Sequence, residues 1–398
     1  MDRRRVTIFL IVLVNFIGST IVIPVLPLYA QGRFGASPPL ISLLYASFFI
    51  AQFLASPLLG RLSDRYGRRP VLLLSQLGTA FSFLLMALAG ALPLLFAARI
   101  LDGITGGNVI VAQAYLTDIT TREQRTRALG ATWAAFGIGL AFGGLIGGVL
   151  THFLGERAPF IAGMTMALAT ALLTWRTLPE TLTPELRAQR IAEGRRPLAW
   201  GEIRHSRPLL LILLIGFLAQ WAMMLFQSTW ALYGEAVLFD AASASLWVGV
   251  LLAMLGIWQF LTQFLLIKPL LARFGEHGLL IMGALLRALA MFTFVLLPFP
   301  LTVGVFGMVG FAVGSGIMMP SLQSLATTSG RPEVSGAVLG VYQSATTLGI
   351  ITGAVSSGFL FARSPFLPYL MGGALLLLTL LPSILLLRMA PTRTAEAY

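Results

Sequence analysis

Long apolar segments recur along this chain, and their length is what most restricts its fold. A helix needs about 20 apolar residues to cross the hydrocarbon core of a bilayer. Only 11% of the residues are charged and 57% are hydrophobic, whereas soluble domains carry about 25% charged residues. We therefore predict an all-α membrane protein with twelve transmembrane helices, at 6–30, 38–59, 71–91, 94–117, 128–150, 158–178, 208–232, 244–267, 279–298, 301–325, 334–360 and 365–387.

The basic residues are distributed unevenly between the two sides of this predicted bundle. Of the 27 Lys and Arg residues, 22 fall in segments on one side, three on the other and two inside helices. Basic loops mark the cytoplasmic side, so both termini are predicted to be cytoplasmic. The net charge of +12 then reflects membrane orientation and does not require a nucleic-acid partner. The run at 6–30 is too long for a signal peptide and is expected to be the first span.

A polar central stretch divides the chain into two similar halves. Residues 179–207 form a predicted cytoplasmic loop between an N-terminal six-helix bundle (1–178) and a C-terminal one (208–398). A shift of 208 positions aligns Arg65-Tyr66-Gly67 with Arg273-Phe274-Gly275. The two bundles are therefore expected to be pseudo-symmetric, with a substrate site between them near the middle of the membrane.

The segment from Gly60 to Pro70 reads GRLSDRYGRRP and lies between two apolar runs. Gly60, Gly67 and Pro70 can leave helical geometry at low cost, which predicts a tight charged loop. The pattern G-x-L-x-D-R-x-G-R-R resembles the cytoplasmic signature between helices 2 and 3 of major facilitator superfamily transporters. This resemblance implies the twelve-helix fold of that family and transport by alternating access.

Four further segments of the first half resemble drug:proton antiporters, in particular the tetracycline-exporter branch. They are Asn15–Gly18 with Pro24–Pro27, Arg99–Gly107, Ala114–Thr120, and a glycine pattern in the fifth span formed by Gly139, Gly143, Gly144, Gly147 and Gly148. The family usually has proline at the position of Gly144. Small residues at this spacing allow close helix packing, and they fit a moving contact or a static one equally well. In the second half the resemblance rests mostly on topology.

The resemblance implies a cytoplasmic gate in which Asp64, Arg68 and Asp118 pair when the inner mouth is shut and stabilise the outward-open state. Asp64 is also expected near the positive N-terminus of the eleventh helix, close to Val334. The alternative is that Asp118 is only a solvated helix end. The full predicted gate motif is Gly60, Asp64, Arg65, Gly67, Arg68, Arg69 and Asp118.

Asp102 is the carboxylate that this reading places inside a span. A charge at mid-membrane costs about 2.5–3.5 kcal/mol on insertion scales, so such a residue is a functional candidate by default. Arg99 lies three residues earlier on the same helical face and can pair with it. A carboxylate that exchanges an arginine for a proton could couple transport to a proton gradient. The alternative is a static pair that only neutralises both charges.

This chain departs from the tetracycline-exporter branch at the acidic positions of its helices. By our register those positions fall at Asn15, Ser82 and Arg287, and the histidine of helix 8 in that branch has no counterpart here. A cavity with fewer acids and an added arginine is expected to prefer neutral or anionic amphiphiles to tetracycline–metal complexes, provided that Arg287 faces the cavity.

Polar and aromatic side chains within the spans are the candidates for lining a substrate cavity. An apolar pocket with a few hydrogen-bonding groups suits a small amphiphile, although amides also join helices and tryptophans also mark span ends. The predicted cavity residues are Asn15, Gln52, Asn108, Gln113, Gln227, Trp230, Trp258, Gln259, Arg287, Gln323 and Gln343.

The chain has no cysteine, and its three histidines lie at or beyond predicted helix ends. No nucleotide-binding P-loop pattern occurs, so we expect no enzyme activity, no metal and no cofactor. The leading hypothesis is a monomeric, proton-coupled exporter of a small amphipathic compound in a bacterial inner membrane. Two alternatives stay open, namely uptake or facilitated transport of a sugar or organic anion, and flipping of a lipid or glycolipid.

Overall fold

The computed structural model describes residues 3–106, 108–119, 122–183, 185–187, 205–329 and 335–389. These residues form helices and short connections, and the described part contains no strand. The helices of the first half are α1 (Arg3–Ile21), α2 (Leu26–Phe34), α3 (Pro38–Tyr66), α4 (Arg68–Leu88), α5 (Leu92–Thr105), α6 (Asn108–Asp118), α7 (Arg122–Leu154) and α8 (Ala158–Thr177).

The helices of the second half are α9 (Arg207–Tyr233), α10 (Ala241–Leu261), α11 (Ile267–Leu296), α12 (Val309–Thr328), α13 (Ser335–Arg363), α14 (Leu367–Leu378) and α15 (Leu380–Met389). π-Helical segments continue α9 over Gly234–Leu238 and α10 over Thr262–Leu266, and another, Val303–Met308, precedes α12. Much of the central stretch, from 188 to 204, lies outside the described residues, so the proposed division at 179–207 stays a prediction.

Ten helical stretches in the described part of the chain are long and apolar enough to cross a membrane. Two features account for the difference from twelve. The predicted span 94–117 is divided between α5 and α6, and residue 107 between them lies outside the described part. The predicted spans 244–267 and 279–298 fall within the stretch Ala241–Leu296, in which Gly275 has non-helical backbone angles. With these taken into account, the helices correspond to the predicted twelve-helix, all-α membrane fold.

The charged segment is helical almost throughout, and the predicted loop is wrong. α3 continues through Gly60 to Tyr66, and α4 begins at Arg68. Gly67 separates the two helices with φ 108° and ψ 158°, a backbone region that is essentially restricted to glycine. Pro70 lies in the first turn of α4. Backbone N–H groups there have no intrahelical acceptor, so the N–H that proline lacks costs no helical hydrogen bond.

The same turn recurs in the second half. Gly275, the residue aligned with the first turn by the shift of 208, has φ 66° and ψ 176° inside α11. The guanidinium of Arg65 lies 5.5 Å from the ring centre of Tyr66, and that of Arg273 lies 5.4 Å from the ring centre of Phe274. The aligned positions therefore share a backbone conformation and a cation–π contact, although the sequences around them differ.

Among the described residues, the hydrophobic core is continuous between the halves at one end of the molecule only. We call the end that contains Arg68 the latch end and the other the far end. At the far end a single core includes Tyr29 from the first half and Trp230 from the second. At the latch end the core around Tyr115 belongs to the first half and the core around Met318 to the second. The halves are thus joined at the far end and have separate cores at the latch end.

Helices α3 and α13, one from each half, follow the same pattern. At the far end Gly358 of α13 lies so close to the carbonyl of Pro38 that a Cβ would overlap it. At the latch end a Cβ on Gly60 or on Gly340 would meet no atom within 4 Å. Close packing between these helices is therefore a feature of the far end.

Candidate transport site and charged latch

A buried ion pair lies on α5. The guanidinium of Arg99 donates to Oδ2 of Asp102 at 2.9 Å, and the two residues are 5% and 7% exposed. The Arg99 guanidinium also lies 4.2 Å from the ring centre of Phe48, a favourable place for a cation. The pair predicted from the spacing of these residues is therefore formed, and each charge offsets the desolvation of the other.

The helix that carries this pair is broken one turn further on. α5 ends at Thr105 and α6 begins at Asn108, whereas the sequence predicted one continuous span. Gly106 takes part in the break, and its carbonyl accepts a hydrogen bond from Nε2 of Gln52 at 3.1 Å. Glycine is a poor helix former, which fits the end of α5 at this position. Discontinuous membrane helices are a recurring feature of transporter binding sites.

The three predicted gate charges lie together at the latch end. The Arg68 guanidinium contacts Oδ1 of Asp64 at 2.7 Å and Oδ2 of Asp118 at 3.1 Å, and it also donates to the hydroxyl of Ser63. Arg68 is 3% exposed. We call these charges, together with Ser63, the latch. All of its members belong to the first half. The pairs can therefore form while the cores of the two halves are separate at this end. The expected proximity of Asp64 to Val334 lies outside the described residues.

Glu180, which was not among the residues predicted from the sequence, holds the backbone of the latch residue Arg68 in place. Its Oε1 accepts the backbone N–H of Arg68 at 2.9 Å, and its Oε2 accepts that of Arg69 at 3.1 Å. The same Oε1 accepts the N–H groups of Thr181 and Leu182. One carboxylate thus caps the positive N-terminus of α4. No local signal could have revealed it, because Glu180 lies 112 positions from Arg68.

The remaining gate-motif residues have other surroundings. Arg65 lies against Tyr66, and the Arg69 side chain donates to the carbonyl of Trp175. Gly60 is an ordinary helical residue of α3, and Gly67 provides the turn that places Arg68 beside its partners.

The predicted cavity residues of the first half lie on α1, α3 and α6. Asn15 on α1 and Gln113 on α6 are partly exposed, as is Gln52, whose amide is engaged at the helix break. Asn108 is the first residue of α6, and its side chain lies outside the described part.

Two predicted cavity residues of the second half are fully enclosed in this conformation. Arg287 on α11 is 1% exposed; it donates to the carbonyl of Ala219 at 2.9 Å and lies 4.9 Å from the ring centre of Phe311. Among the described residues it forms no ion pair. Trp230 is 0% exposed, and its indole donates to the carbonyl of Val248 at 3.3 Å. Burial follows from their positions within the C-terminal bundle, which a helical pattern alone does not give.

The other predicted cavity residues of this half retain accessible surface. Trp258 and Gln343 are exposed, and the partly exposed residues are Gln227, Gln259 and Gln323. The Oε1 atom of Gln259 is buried and has no hydrogen-bond partner in the protein.

The glycines of α7 divide into two packing faces. Gly139, Gly143 and Gly147 lie against the backbone of α1 within the first half. Gly144 and Gly148 lie against α10, which belongs to the second half, and the carbonyl of Ser245 would be 2.5 Å from a Cβ on Gly148. The contact between α7 and α10 is therefore a seam between the halves, and Gly144 and Gly148 lie on its first-half side.

The described residues contain no group of His, Asp and Glu that could hold a metal ion.

Comparison with known proteins gives a consistent result. The Major Facilitator Superfamily model matches residues 8–354. The chain is 33% identical over 343 residues to the class C tetracycline resistance protein of Escherichia coli, with 85% of each chain covered. It is 27% identical over 386 residues to multidrug resistance protein 2 of Bacillus subtilis (strain 168), and the alignment covers 95% of this chain and 94% of that protein.

A solved structure shares the fold. A bacterial homolog of the human lysosomal transporter Spinster, in an inward-facing and occupied conformation, aligns with a TM-score of 0.78 at 17% identity, covering 97% of this chain and 96% of the other. The breadth of the family match and the identity to the tetracycline resistance protein carry the assignment. The chain belongs to the Major Facilitator Superfamily.

Proposed function

We propose that this transporter exports a small amphipathic compound in exchange for protons, by alternating access between its two halves. Relatives at about 30% identity are named for tetracycline or multidrug resistance, which supports export as the direction. The proposed setting is a bacterial inner membrane with both termini in the cytoplasm, since 22 of the 27 basic residues fall in segments on that side.

The observation that carries the proposal is the buried Arg99–Asp102 pair. A carboxylate in an apolar interior is stabilised while its arginine neutralises it, and it no longer needs that partner once it binds a proton. Protonation of Asp102 removes the charge that holds Arg99, so the guanidinium becomes available to another helix. The helix break at Gly106, one turn away, provides a place where such a change can alter backbone geometry.

The conformation of the two halves fits one stage of the proposed cycle. The halves share a core at the far end and have separate cores at the latch end, which corresponds to a state open towards the cytoplasm. Export requires the reverse arrangement, in which the far end opens and the latch ends approach. The glycine seam between α7 and α10 is the contact along which this movement would take place, because small residues let helices slide at close range.

The charge inside the membrane favours neutral or anionic substrates. Within the described spans, Asp102 is offset by Arg99, whereas Arg287 forms no ion pair. The intramembrane charge of these three residues is therefore positive. An anionic or neutral amphiphile meets a smaller electrostatic barrier here than a cationic one.

Proton release tests the proposal directly. Purified protein in detergent is mixed with a panel of cationic, neutral and anionic amphiphiles, and released protons are recorded with a pH-indicator dye. Wild-type protein and Asp240→Asn, an exposed control at the far end, are expected to release protons on binding. Asp102→Asn is expected to bind without release. Binding without release in the wild type would contradict antiport and favour uniport or lipid flipping.

A further inference from the structure

One face of α4 carries buried polar side chains without partners. Ser75 and Gln76 are each 1% exposed, and Thr79 is 9% exposed. The hydroxyls of Ser75 and Thr79 and both amide atoms of Gln76 form no hydrogen bond within the protein. Thr79 lies four residues after Ser75 and three after Gln76, so the three side chains share one helical face.

At its Thr79 end, this polar face adjoins the buried Arg99–Asp102 pair. The Thr79 side chain interacts with the Asp102 carboxylate, although its hydroxyl does not reach hydrogen-bond geometry. Nε of Arg99 is likewise buried and unpartnered. Tyr45 of α3 also faces the pair, but its hydroxyl is engaged with the carbonyl of Ile23 at 3.1 Å.

At its Ser75 end, the polar face approaches the latch. Thr174 on α8, which packs against α4, is 0% exposed, and its hydroxyl has no partner. The contact of Arg69 with the carbonyl of Trp175 places Thr174 beside the first turns of α4. Thr170, one turn away on α8, is different because its hydroxyl donates to the carbonyl of Ala167 at 2.8 Å.

Unpaired buried polar groups are rare in proteins and are normally satisfied by internal water, which needs two to four polar partners. Hydroxyl and amide side chains both donate and accept hydrogen bonds. A line of them can therefore order a chain of waters through which a proton hops, with no change in the protonation of the side chains themselves.

We propose that Thr79, Gln76, Ser75 and Thr174 line a hydrated passage that carries protons between Asp102 and the latch end. The neutral acid of Asp102 gives its proton to a water beside Thr79, and the resulting carboxylate pairs with Arg99. The proposal rests on the proposed role of Asp102 and adds a proton route inside the first half, separate from the substrate cavity between the halves.

The test follows proton exchange at Asp102 without substrate. Purified protein in detergent undergoes a rapid pH jump, and time-resolved infrared spectroscopy records the carboxylic-acid band that Asp102→Asn removes. Gln76→Leu and Thr79→Val are each expected to slow the change in this band about tenfold, which corresponds to about 1.4 kcal/mol of added barrier. Thr174→Val is expected to slow it as well.

Matched controls separate this effect from a loss of packing. Thr170→Val and Ser82→Ala each remove a hydroxyl that already bonds a carbonyl of its own helix, and they should leave the rate unchanged. Gln76→Asn and Thr79→Ser, which keep the polar groups, should retain rates near that of the wild type. Wild-type rates in Gln76→Leu and Thr79→Val would overturn the passage alone. The lack of an Asp102-dependent band in the wild type would overturn both the passage and the proposed function.

Discussion

The carboxylate of Glu180 caps the helix that begins at Arg68, with Oε1 2.9 Å from the Arg68 amide nitrogen. Glu180 lies two residues after the sixth predicted span, whereas Arg68 opens the third membrane helix. The second residue of the central stretch thus fixes the backbone of the residue that holds Asp64 and Asp118. Positioning of the latch depends on this contact as well as on the motif itself.

Loss of the cap should destabilise the first half. Glu180→Ala removes the acceptor of the Arg68 and Arg69 amides, and loss of a helix cap costs about 0.5–2 kcal/mol. We expect a lower melting temperature in detergent, measured by intrinsic fluorescence. Glu185→Ala is the control, because Glu185 is exposed five residues further on. Equal melting temperatures for the two variants would contradict the capping role.

Alanine at Gly67 should be more harmful than alanine at Gly275. Both glycines have a backbone conformation that costs a residue with a side chain about 1–3 kcal/mol. A Cβ at Gly67 would also overlap the Glu180 carboxylate, whereas a Cβ at Gly275 would meet no atom within 4 Å. Thermal unfolding of the two variants should therefore differ, with Gly67→Ala the less stable. Similar losses in both would show that Glu180 can move aside freely.

The Arg99–Asp102 pair should show strong coupling in a double-mutant cycle. Removing one member of a buried pair leaves the other charge uncompensated, at a cost of about 3–5 kcal/mol. We expect Arg99→Gln and Asp102→Asn each to lower the free energy of unfolding, and the double variant to be more stable than Arg99→Gln. Denaturant unfolding in mixed micelles measures this cycle. Additive losses would mean that the two charges do not depend on each other.

The two glycine faces of α7 should have different effects on conformation. Gly148→Ala adds a methyl group at the seam with α10 and should favour separation at the far end, whereas Gly147→Ala adds one against α1. The chain contains no cysteine, so Ser42→Cys can report opening of the far end, where Ser42 is 2% exposed. Labelling by a membrane-impermeant maleimide should accelerate in Gly148→Ala and stay unchanged in Gly147→Ala. Faster labelling in Gly147→Ala than in Gly148→Ala would contradict the role of Gly148 in the seam between the halves.

Arg287 should matter for anionic substrates more than for stability. Arg287 forms no ion pair among the described residues, and Arg287→Met removes the desolvation cost of its buried charge, so this variant should not have a lower melting temperature. We expect it to weaken binding of anionic amphiphiles while binding of neutral ones persists, measured by equilibrium binding to purified protein. Arg273→Met, at an exposed helical position, is the control. Unchanged binding of every anionic amphiphile in Arg287→Met would remove this residue from substrate selection.

Local physical chemistry determined much of this protein from its sequence. Apolar runs of membrane length specify helices whatever surrounds them, because a single segment in lipid can satisfy its backbone hydrogen bonds internally only as a helix. The spacing of Arg99 and Asp102 on one helical face likewise predicts their pairing, since residues three apart are neighbours in any α-helix. The turn shared by Gly67 and Gly275 was visible as an aligned tripeptide.

Contacts between distant segments were decided only by the tertiary structure. Glu180 reaches Arg68 because α8 returns beside α4, and no local pattern encodes that return. The hydrophobic pattern could not tell that Arg287 and Trp230 lie inside the C-terminal bundle, because a helix that is apolar on all sides has no marked inner face. The division of the α7 glycines between α1 and α10 was hidden for the same reason. Periodicity gives the spacing of small residues along a helix, whereas the packed bundle decides which neighbour each face meets.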